Sequence, residues 1–375
     1  MRIGIDGNEA NLKKRVGIGE YAFELLAQFK KFKAGDINFT IYLKTNPVSD
    51  LPPKRDGWDY QIVGPGRLWT QIGLPLNLYL HKPRPDVFFT PTHYAPRFSP
   101  VPTVVSVMDL SYLHYPKLFK QSDLYQLRNW TAYSVKQARK VFTISRASKN
   151  DIIKYYQIKP ERIVVTYPGY KFKNTMQSSK LLTEKYGIKG SYILFVGTVQ
   201  PRKNLVRLIE AFSRIKRDSS SSAEGDIQLV IVGKKGWLYE EIYEAPKKFG
   251  VEDKIKFLNY VPDEDLPVLY KNAHVFVLPS LYEGFGLPVL EAMAQGCPVV
   301  ISNTSSLPEV GGDAAVYIDP ENVESIVEGI EKVLGDTKYR QSLIKKGREQ
   351  VKKFSWEKTA RETLKVLEEV AKEGR

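Results

Sequence analysis

Two glutamates, Glu283 and Glu291, bracket a glycine-rich stretch that reads Glu-Gly-Phe-Gly-Leu-Pro-Val-Leu-Glu. An apolar, β-branched run ends at Leu278, turn residues follow, and the stretch then passes into a helical pattern at Pro288. Proline suits a first helical turn, where a missing N–H costs nothing. The N–H groups of Gly284, Phe285, Gly286 and Leu287 would then gather at a helix N-terminus, a natural seat for an anion. Glu283 in the loop and Glu291 about a turn into the helix can reach one ligand. Such a ligand needs hydroxyls for the carboxylates and a phosphate for the N–H groups. A sugar nucleotide has both. The plainer reading is a helix cap beside a surface glutamate.

A second cluster, Gly197-Thr198-Val199-Gln200-Pro201-Arg202-Lys203-Asn204, also follows a strand-like run. Arg202 can grip phosphate through two donors and Lys203 adds a point charge, as a diphosphate would require. An Arg-Lys pair by itself is ordinarily solvated surface; beside the Glu283 loop it becomes a candidate anion clamp. A third cluster, Gly7 with Val16-Gly17-Ile18-Gly19, follows the first strand. Gly17 and Gly19 would let backbone approach phosphates, or would simply make a turn. A fourth, Thr92-His93-Tyr94 and Met108-Asp109-Leu110, supplies the titratable groups His93 and Asp109 near strand ends. Either could orient an acceptor hydroxyl or take its proton; a satisfied core histidine and a capping aspartate are the plain alternatives.

These clusters need a scaffold that brings strand-to-helix loops together. Short apolar runs alternate with helical patterns throughout, which predicts parallel α/β architecture. The expected strands in the first half are Met1–Ile5, Phe39–Leu43, Val87–Thr90, Thr103–Met108, Lys140–Ile144 and Ile163–Val165. Those of the second are Tyr192–Val196, Gln228–Val232, Ile255–Phe257, Val275–Leu278, Pro298–Ile301 and Ala315–Ile318. The expected helices include Glu20–Lys33, Tyr125–Ala138, Leu205–Ile215, Leu238–Phe249, Leu266–Asn272, Pro288–Gln295, Ser325–Leu334 and an amphipathic Trp356–Lys372. The fold class is therefore α/β, with two Rossmann-like doubly wound parallel-sheet domains facing across a cleft, where such folds bind ligands. The expected division is residues 1–172, 173–353 and a terminal helix 354–375, with turn residues at Tyr167–Tyr170 and a polar segment Lys171–Lys180 at the join. The run Ser219–Ser222 with Ala223-Glu224-Gly225 is expected to be a surface loop.

At 375 residues the chain is too long for one ordinary core. No apolar run reaches the roughly 18 residues of a membrane span. The start reads directly as a strand, without a signal segment. A single cysteine, Cys297, excludes an internal disulfide and reads as a small core residue. Four scattered histidines give no metal-ligand spacing. Asp263-Glu264-Asp265 is read as helix capping, not as a metal site. Together these predict a cytoplasmic enzyme without a metal or other cofactor. Charge is uneven: residues 1–172 carry 26 Lys/Arg against 13 Asp/Glu, and residues 173–375 carry 30 against 29. A basic first half suggests an anionic partner, such as a membrane surface or a phosphorylated carrier, or merely a basic soluble surface. No nucleic-acid motif accompanies the charge. The stretch from Arg67-Leu68-Trp69 to His81-Lys82 mixes aromatics, leucines and basic ends; touching a membrane and packing inside the first domain are equally open readings.

Taken together, Glu283 to Glu291, Gly197 with Arg202-Lys203-Asn204, Gly17 and Gly19, and Leu307-Pro308-Glu309 resemble the group 1 (family 4) retaining glycosyltransferases of the GT-B fold, over nearly the full length. The resemblance implies that Glu283 meets the donor sugar hydroxyls and Glu291 the ribose of the nucleotide. It implies that Arg202 and Lys203 hold the diphosphate, with backbone donors of Phe285, Gly286 and Leu287 sharing the task and no metal required. The last helix, from Phe354-Ser355-Trp356, would return to the first domain. Family members often carry His where Met108 stands, which leaves Asp109 and His93 as acceptor-side candidates. Leu74-Pro75, Thr92–Pro96 and Asp109–Pro116 look like the mannosyltransferase branch of bacterial surface-polysaccharide assembly. The implied activity is transfer of a hexose, mannose from GDP-mannose or glucose from UDP-glucose, to a hydroxyl of a glycan or lipid-linked acceptor at the inner face of the plasma membrane. The competing readings are a non-catalytic sugar-nucleotide or glycan binder and another GT-B enzyme, such as an epimerase or phosphorylase.

Overall fold

The computed structural model describes residues 1–15, 17–32, 37–170, 178–216 and 227–374. The expected 172/173 junction, residues 171–177 of the polar segment, the Ser219–Gly225 loop, Val16 and the Lys33 helix end lie outside them. The chain forms two compact units, Met1–Gly169 with Ser355–Arg375, and Tyr170–Phe354.

The first unit is built on seven strands: β1 (Arg2–Asp6), β2 (Asn38–Leu43), β3 (Trp58–Ile62), β4 (Val87–Thr90), β5 (Thr103–Ser106), β6 (Lys140–Thr143) and β7 (Ile163–Val165). All pairings are parallel, in the order β3-β2-β1-β4-β5-β6-β7. Chain direction across the sheet reverses between β1 and β4, so the loops after those strands part and leave a crevice for ligands. The central strands are apolar because helices cover both faces, and β4 and β5 are buried at every position. Strand β3 was not expected. It is an edge strand in which Asp59 and Gln61 interrupt the apolar run, and only Trp58 is buried. The helix Arg146–Tyr156 was also not expected; Ser145 caps it by accepting from the Ser148 N–H. The expected Glu20–Lys33 helix is found at Ile18–Phe29.

The last helix, Trp356–Glu373, belongs to this unit. Trp356, Ala360, Thr363, Leu367, Val370 and Ala371 form its buried stripe. The Trp356 ring meets Tyr21 edge-on at 5.8 Å, and the Thr359 hydroxyl donates to the Tyr167 carbonyl. In the Arg67–Lys82 stretch, a π-helical turn at Trp69–Gly73 runs into a helix at Leu74–Leu80. Trp69, Leu74 and Leu78 enter a core with Tyr42, Val63, Phe88 and Val101. One face of the stretch thus packs inside the unit.

The second unit repeats the plan with six strands: β8 (Tyr192–Val196), β9 (Gln228–Val232), β10 (Ile255–Asn259), β11 (Val275–Leu278), β12 (Val299–Ser302) and β13 (Ala315–Ile318). All are parallel, in the order β10-β9-β8-β11-β12-β13. Two doubly wound parallel sheets are thus as expected. The reversal falls between β8 and β11. The helix Thr337–Val351 was not expected, because nearly half of its residues are Lys, Arg or Gln and only Leu343, Gly347, Gln350 and Val351 are buried. Among the described residues no helix is long and apolar enough to cross a membrane.

Candidate active site

In the second unit, the loops after β8 and β11 flank the reversal point, and they carry Arg202-Lys203 and Glu283. The β8 loop tightens into a 3-10 turn at Pro201–Lys203 and ends at Asn204, which has left-handed backbone at φ 60° and ψ 33°. Asparagine tolerates that region better than other side-chain-bearing residues. Its buried amide donates to the carbonyls of Pro279 at 3.0 Å and Pro320 at 2.6 Å, tying the loops after β8, β11 and β13 together. The Leu281 N–H donates to the Arg202 carbonyl at 3.0 Å. Two loops 80 residues apart are thereby held as one surface.

Glu283 is the centre of that surface. It is 7% exposed. Lys203 Nζ lies 2.5 Å from its Oε1, Arg202 Nη1 lies 3.3 Å from Oε2, and Ser280 Oγ donates to Oε1 at 2.6 Å. Arg202 also donates to the Tyr282 carbonyl. Ser305 Oγ accepts from the Glu283 N–H at 2.9 Å, and Ser306 Oγ donates to the carbonyls of Glu283 and Phe285. Burial pushes the Glu283 carboxyl pKa up, but the Lys203 and Arg202 charges and the bonds from Lys203 and Ser280 outweigh it and bring it down to about 2. The group is an anion at any working pH, able to accept hydrogen bonds and unable to donate a proton.

Beyond Glu283, Gly286 holds φ 109°, and a Cβ there would lie 2.7 Å from Leu307 Cδ2. The position calls for glycine on both counts. The helix Leu287–Ala294 follows, with Pro288 in its first turn. Glu291 lies in that helix. Its Oε2 accepts from the Tyr270 hydroxyl at 2.9 Å, and Tyr270 is 1% exposed. The serines at 280, 305 and 306 and Tyr270 were not singled out from sequence, since isolated hydroxyls carry no spacing signal. Asp265 does not cap its helix through the side chain. Its buried carboxylate instead accepts from Lys185 Nζ at 2.6 Å and from the Tyr186 hydroxyl, which corrects the capping reading. Cys297 is 1% exposed. No group of three His, Cys, Asp or Glu among the described residues is placed to hold a metal ion.

In the first unit, His93 follows β4, at that sheet's own reversal point, and is 6% exposed. Its Nε2 accepts from the Met108 N–H at 3.2 Å, and Nδ1 has no partner among the described residues. The proton is therefore on Nδ1. Burial lowers the imidazole pKa, with the nearby Asp109 charge opposing. A neutral ring already accepting at Nε2 would lose the Met108 bond on taking a proton there. Asp109 Oδ1 accepts from the Ser111 N–H at 2.9 Å and the Ser111 hydroxyl at 2.6 Å, so part of its capacity goes to a local turn. Gly17 has φ 52° and immediately precedes the helix Ile18–Phe29, and a Cβ at Gly19 would lie 2.9 Å from the Glu9 carbonyl. Sequence reading passed over Asp6, the last residue of β1. It is 5% exposed and accepts from the Asn8 N–H at 3.0 Å and the Asn8 amide at 2.7 Å.

The chain matches two family models that divide it between them: "Glycosyltransferase Family 4" over residues 19–172 and "Glycosyl transferases group 1" over residues 179–350. It is 34% identical over 367 residues to the O-antigen chain mannosyltransferase B of Escherichia coli, covering 93% of this chain and 94% of that one. This chain belongs to the group 1 glycosyltransferases. The glycosyltransferase is also 31% identical over 229 residues to the O-antigen chain mannosyltransferase RfbU of Salmonella typhimurium, over 61% of this chain and 60% of that one. Its fold is that of the Anabaena protein HepE, solved with UDP-glucose: TM-score 0.74 at 16% identity, over 98% of this chain and 99% of that one. The expected GT-B fold and hexosyl transfer are thus borne out for this glycosyltransferase.

Proposed function

We propose that this hexosyltransferase is a retaining enzyme that moves mannose from GDP-mannose, or glucose from UDP-glucose, to a hydroxyl of a glycan or lipid-linked acceptor. The observation that carries the reading is the buried Lys203–Glu283–Arg202 cluster at the reversal point of the second sheet. The two cations compensate Glu283; a diphosphate arriving there would draw on the same charge, leaving Glu283 oxygens to accept sugar hydroxyls. Arg202 and Lys203 would then stabilise the leaving diphosphate as its charge grows, the kind of preorganised stabilisation that dominates many enzyme rates. With that charge supplied by side chains, donor binding is proposed to need no divalent ion. Glu291, oriented by Tyr270, takes the ribose, and the N–H groups of Phe285, Gly286 and Leu287 take phosphate oxygens.

Retention is supported by how Glu283 is held. A carboxylate with its pKa near 2 and its oxygens bonded to Lys203, Arg202 and Ser280 is a poor nucleophile, which favours attack by the acceptor on the face the diphosphate leaves, with that phosphate taking the acceptor proton. His93 and Asp109 would serve the acceptor side by orienting it. Mannose is preferred to glucose because both relatives named above are called mannosyltransferases. The basic first half is read as the side that meets an anionic partner at a membrane.

The experiment has two arms. Thermal unfolding with GDP, UDP and ADP, each in EDTA or with magnesium, should show a rise with one nucleotide in EDTA; at about 100 times Kd the gain is roughly 2.7 kcal/mol. A rise only with magnesium would overturn the metal-independent site. NMR of the transfer product should show the donor's anomeric configuration, and an inverted product would overturn retention.

A further inference from the structure

Strand β2 lies inside the first sheet, between β1 and β3, yet only one of its faces is fully apolar. Phe39, Ile41 and Leu43 are buried on that face. The alternate residues are Asn38, Thr40 and Tyr42, and the register sets Thr40 and Tyr42 beside Asp59 and Gln61 of β3. Side chains alternate along a strand, so these groups share the other side of the sheet. A parallel sheet ordinarily has both faces packed with apolar side chains. Here the polar face meets Asn77 and Leu78 of the short helix Leu74–Leu80 across a cavity of about 310 Å³. That volume is at the lower end of the range for small-ligand sites. None of its lining residues belongs to the loops after β1 and β4, so the cavity is separate from the crevice beside His93.

The polar groups of the cavity are not spent on one another. The Gln61 amide nitrogen donates to Asn77 Oδ1 at 3.1 Å. That leaves Gln61 Oε1 as an acceptor and the Asn77 NH2 group as a donor, both without partners among the described residues. The hydroxyls of Thr40 and Tyr42 have none there either. Tyr42 is 4% exposed, and burial pushes its pKa up to about 12 with no hydrogen bond offsetting it. A buried hydroxyl without a partner is costly, and a ligand that supplies one removes the cost. Amides and hydroxyls together offer both donors and acceptors, which is what sugar hydroxyls offer in return. A phosphate only accepts, and would meet the oxygens of Asp59 and Gln61. An apolar molecule would leave the amides unsatisfied. The cavity carries both signs of charge, Arg2 and Lys82 against Asp59, which also pairs with Lys54 at 2.8 Å. Leu78, Pro83 and Pro85 add apolar surface for the C–H faces of a sugar ring.

We propose that this cavity is a second glycan site, which holds a short neutral stretch of oligosaccharide on the face of β2 and β3, apart from the reacting centre. Thr40, Tyr42, Gln61 and Asn77 bond its hydroxyls. A glycan held there stays with the enzyme while one spent donor is exchanged for the next. This use rests on the glycan acceptor proposed above, whereas binding at the cavity does not.

The test is saturation-transfer NMR with calorimetry on the full chain, using mannotriose, maltotriose and a mannose phosphate as probes. The expected result is binding of a neutral trisaccharide that survives both His93→Ala and saturation with GDP or UDP. Gln61→Ala with Asn77→Ala should weaken it at least about tenfold. Tyr42→Phe, which keeps the ring and removes only the hydroxyl, should weaken it about threefold. All variants should keep the thermal shift with nucleotide, which reports folding and the donor site separately. Binding of neither trisaccharide overturns the proposal. Binding of the mannose phosphate alone also overturns it and makes Arg2 and Lys82 an anion site. Binding that is lost in His93→Ala and undiminished in the cavity variants overturns it too, and assigns the glycan to the acceptor side of the known crevice.

Discussion

Each unit buries a carboxylate at the carboxyl edge of its sheet, beside the strand reversal, and the two are treated in opposite ways. Asp6, at the end of β1, is 5% exposed and Glu283, after β11, is 7% exposed. Asp6 is raised from 3.8 to about 6, chiefly by burial, with the Asn8 bonds and the Lys44 charge relieving only part. Glu283 suffers burial too, yet is lowered from 4.5 to about 2 because two cations touch it. Burial alone therefore does not decide the state of a carboxylate here; the neighbouring charge does. The second unit has assembled charge around a point, whereas the first has left its carboxylate to bear the cost of burial. Charge gathered in that way can be handed to an incoming anion.

The largest way to break the comparison is to remove the cation. Lys203→Ala leaves Glu283 buried with Arg202 and the Ser280 hydroxyl but without its nearer cation, and should lower transfer by about two to three orders of magnitude and stability by about 3 kcal/mol. Lys203→Met combined with Glu283→Gln should recover most of that stability in thermal unfolding and remain inactive. Recovery of transfer in the double variant would mean that the cluster is structural only.

Acidity sharpens the contrast, since the two groups respond to pH with opposite sign. Glu283 contributes stability that is fully present above 4.5 and is lost as pH falls through about 2, worth about 3 kcal/mol. Asp6 favours the folded state fully below 3.8, and that advantage is lost as pH rises through about 6. Asp6→Asn, which can still accept from Asn8, should therefore stabilise the protein at pH 7.5 by up to about 3 kcal/mol and barely at pH 4. Urea unfolding at the two pH values measures it; an equal effect at both would remove Asp6 as a titrating group. The smallest effect is expected from Ser280→Ala, which takes one 2.6 Å bond from Glu283. A loss of about 1.5 kcal/mol, with transfer reduced less than in Lys203→Ala, would rank the cations above the hydroxyl.

The sheets were legible in the sequence because the central strands are short apolar, largely β-branched runs buried on both faces. The exceptions have physical reasons. β3 sits at an edge, where Asp59 and Gln61 can face water, and the Thr337–Val351 helix buries too little to leave a periodic apolar stripe. At the candidate site the residue types announced themselves in Arg202-Lys203 and Glu283. Their mutual contact did not, because it depends on strand order, which places β8 beside β11 across 80 residues of chain. The ion pairing that results was not read either: the cations were expected to stand ready for phosphate, and they rest on Glu283. Asp6 gave no sign, since an aspartate closing a strand looks like a turn residue until its burial is seen.

The first unit is interrupted in the chain while the second is continuous from Tyr170 to Phe354. Synthesis proceeds from the N-terminus, so the second unit has all its residues while the first still lacks the helix Trp356–Glu373. Until that helix emerges, the apolar surface around Tyr21 has no cover. The first unit can therefore complete its fold only after the whole of the second has been synthesised.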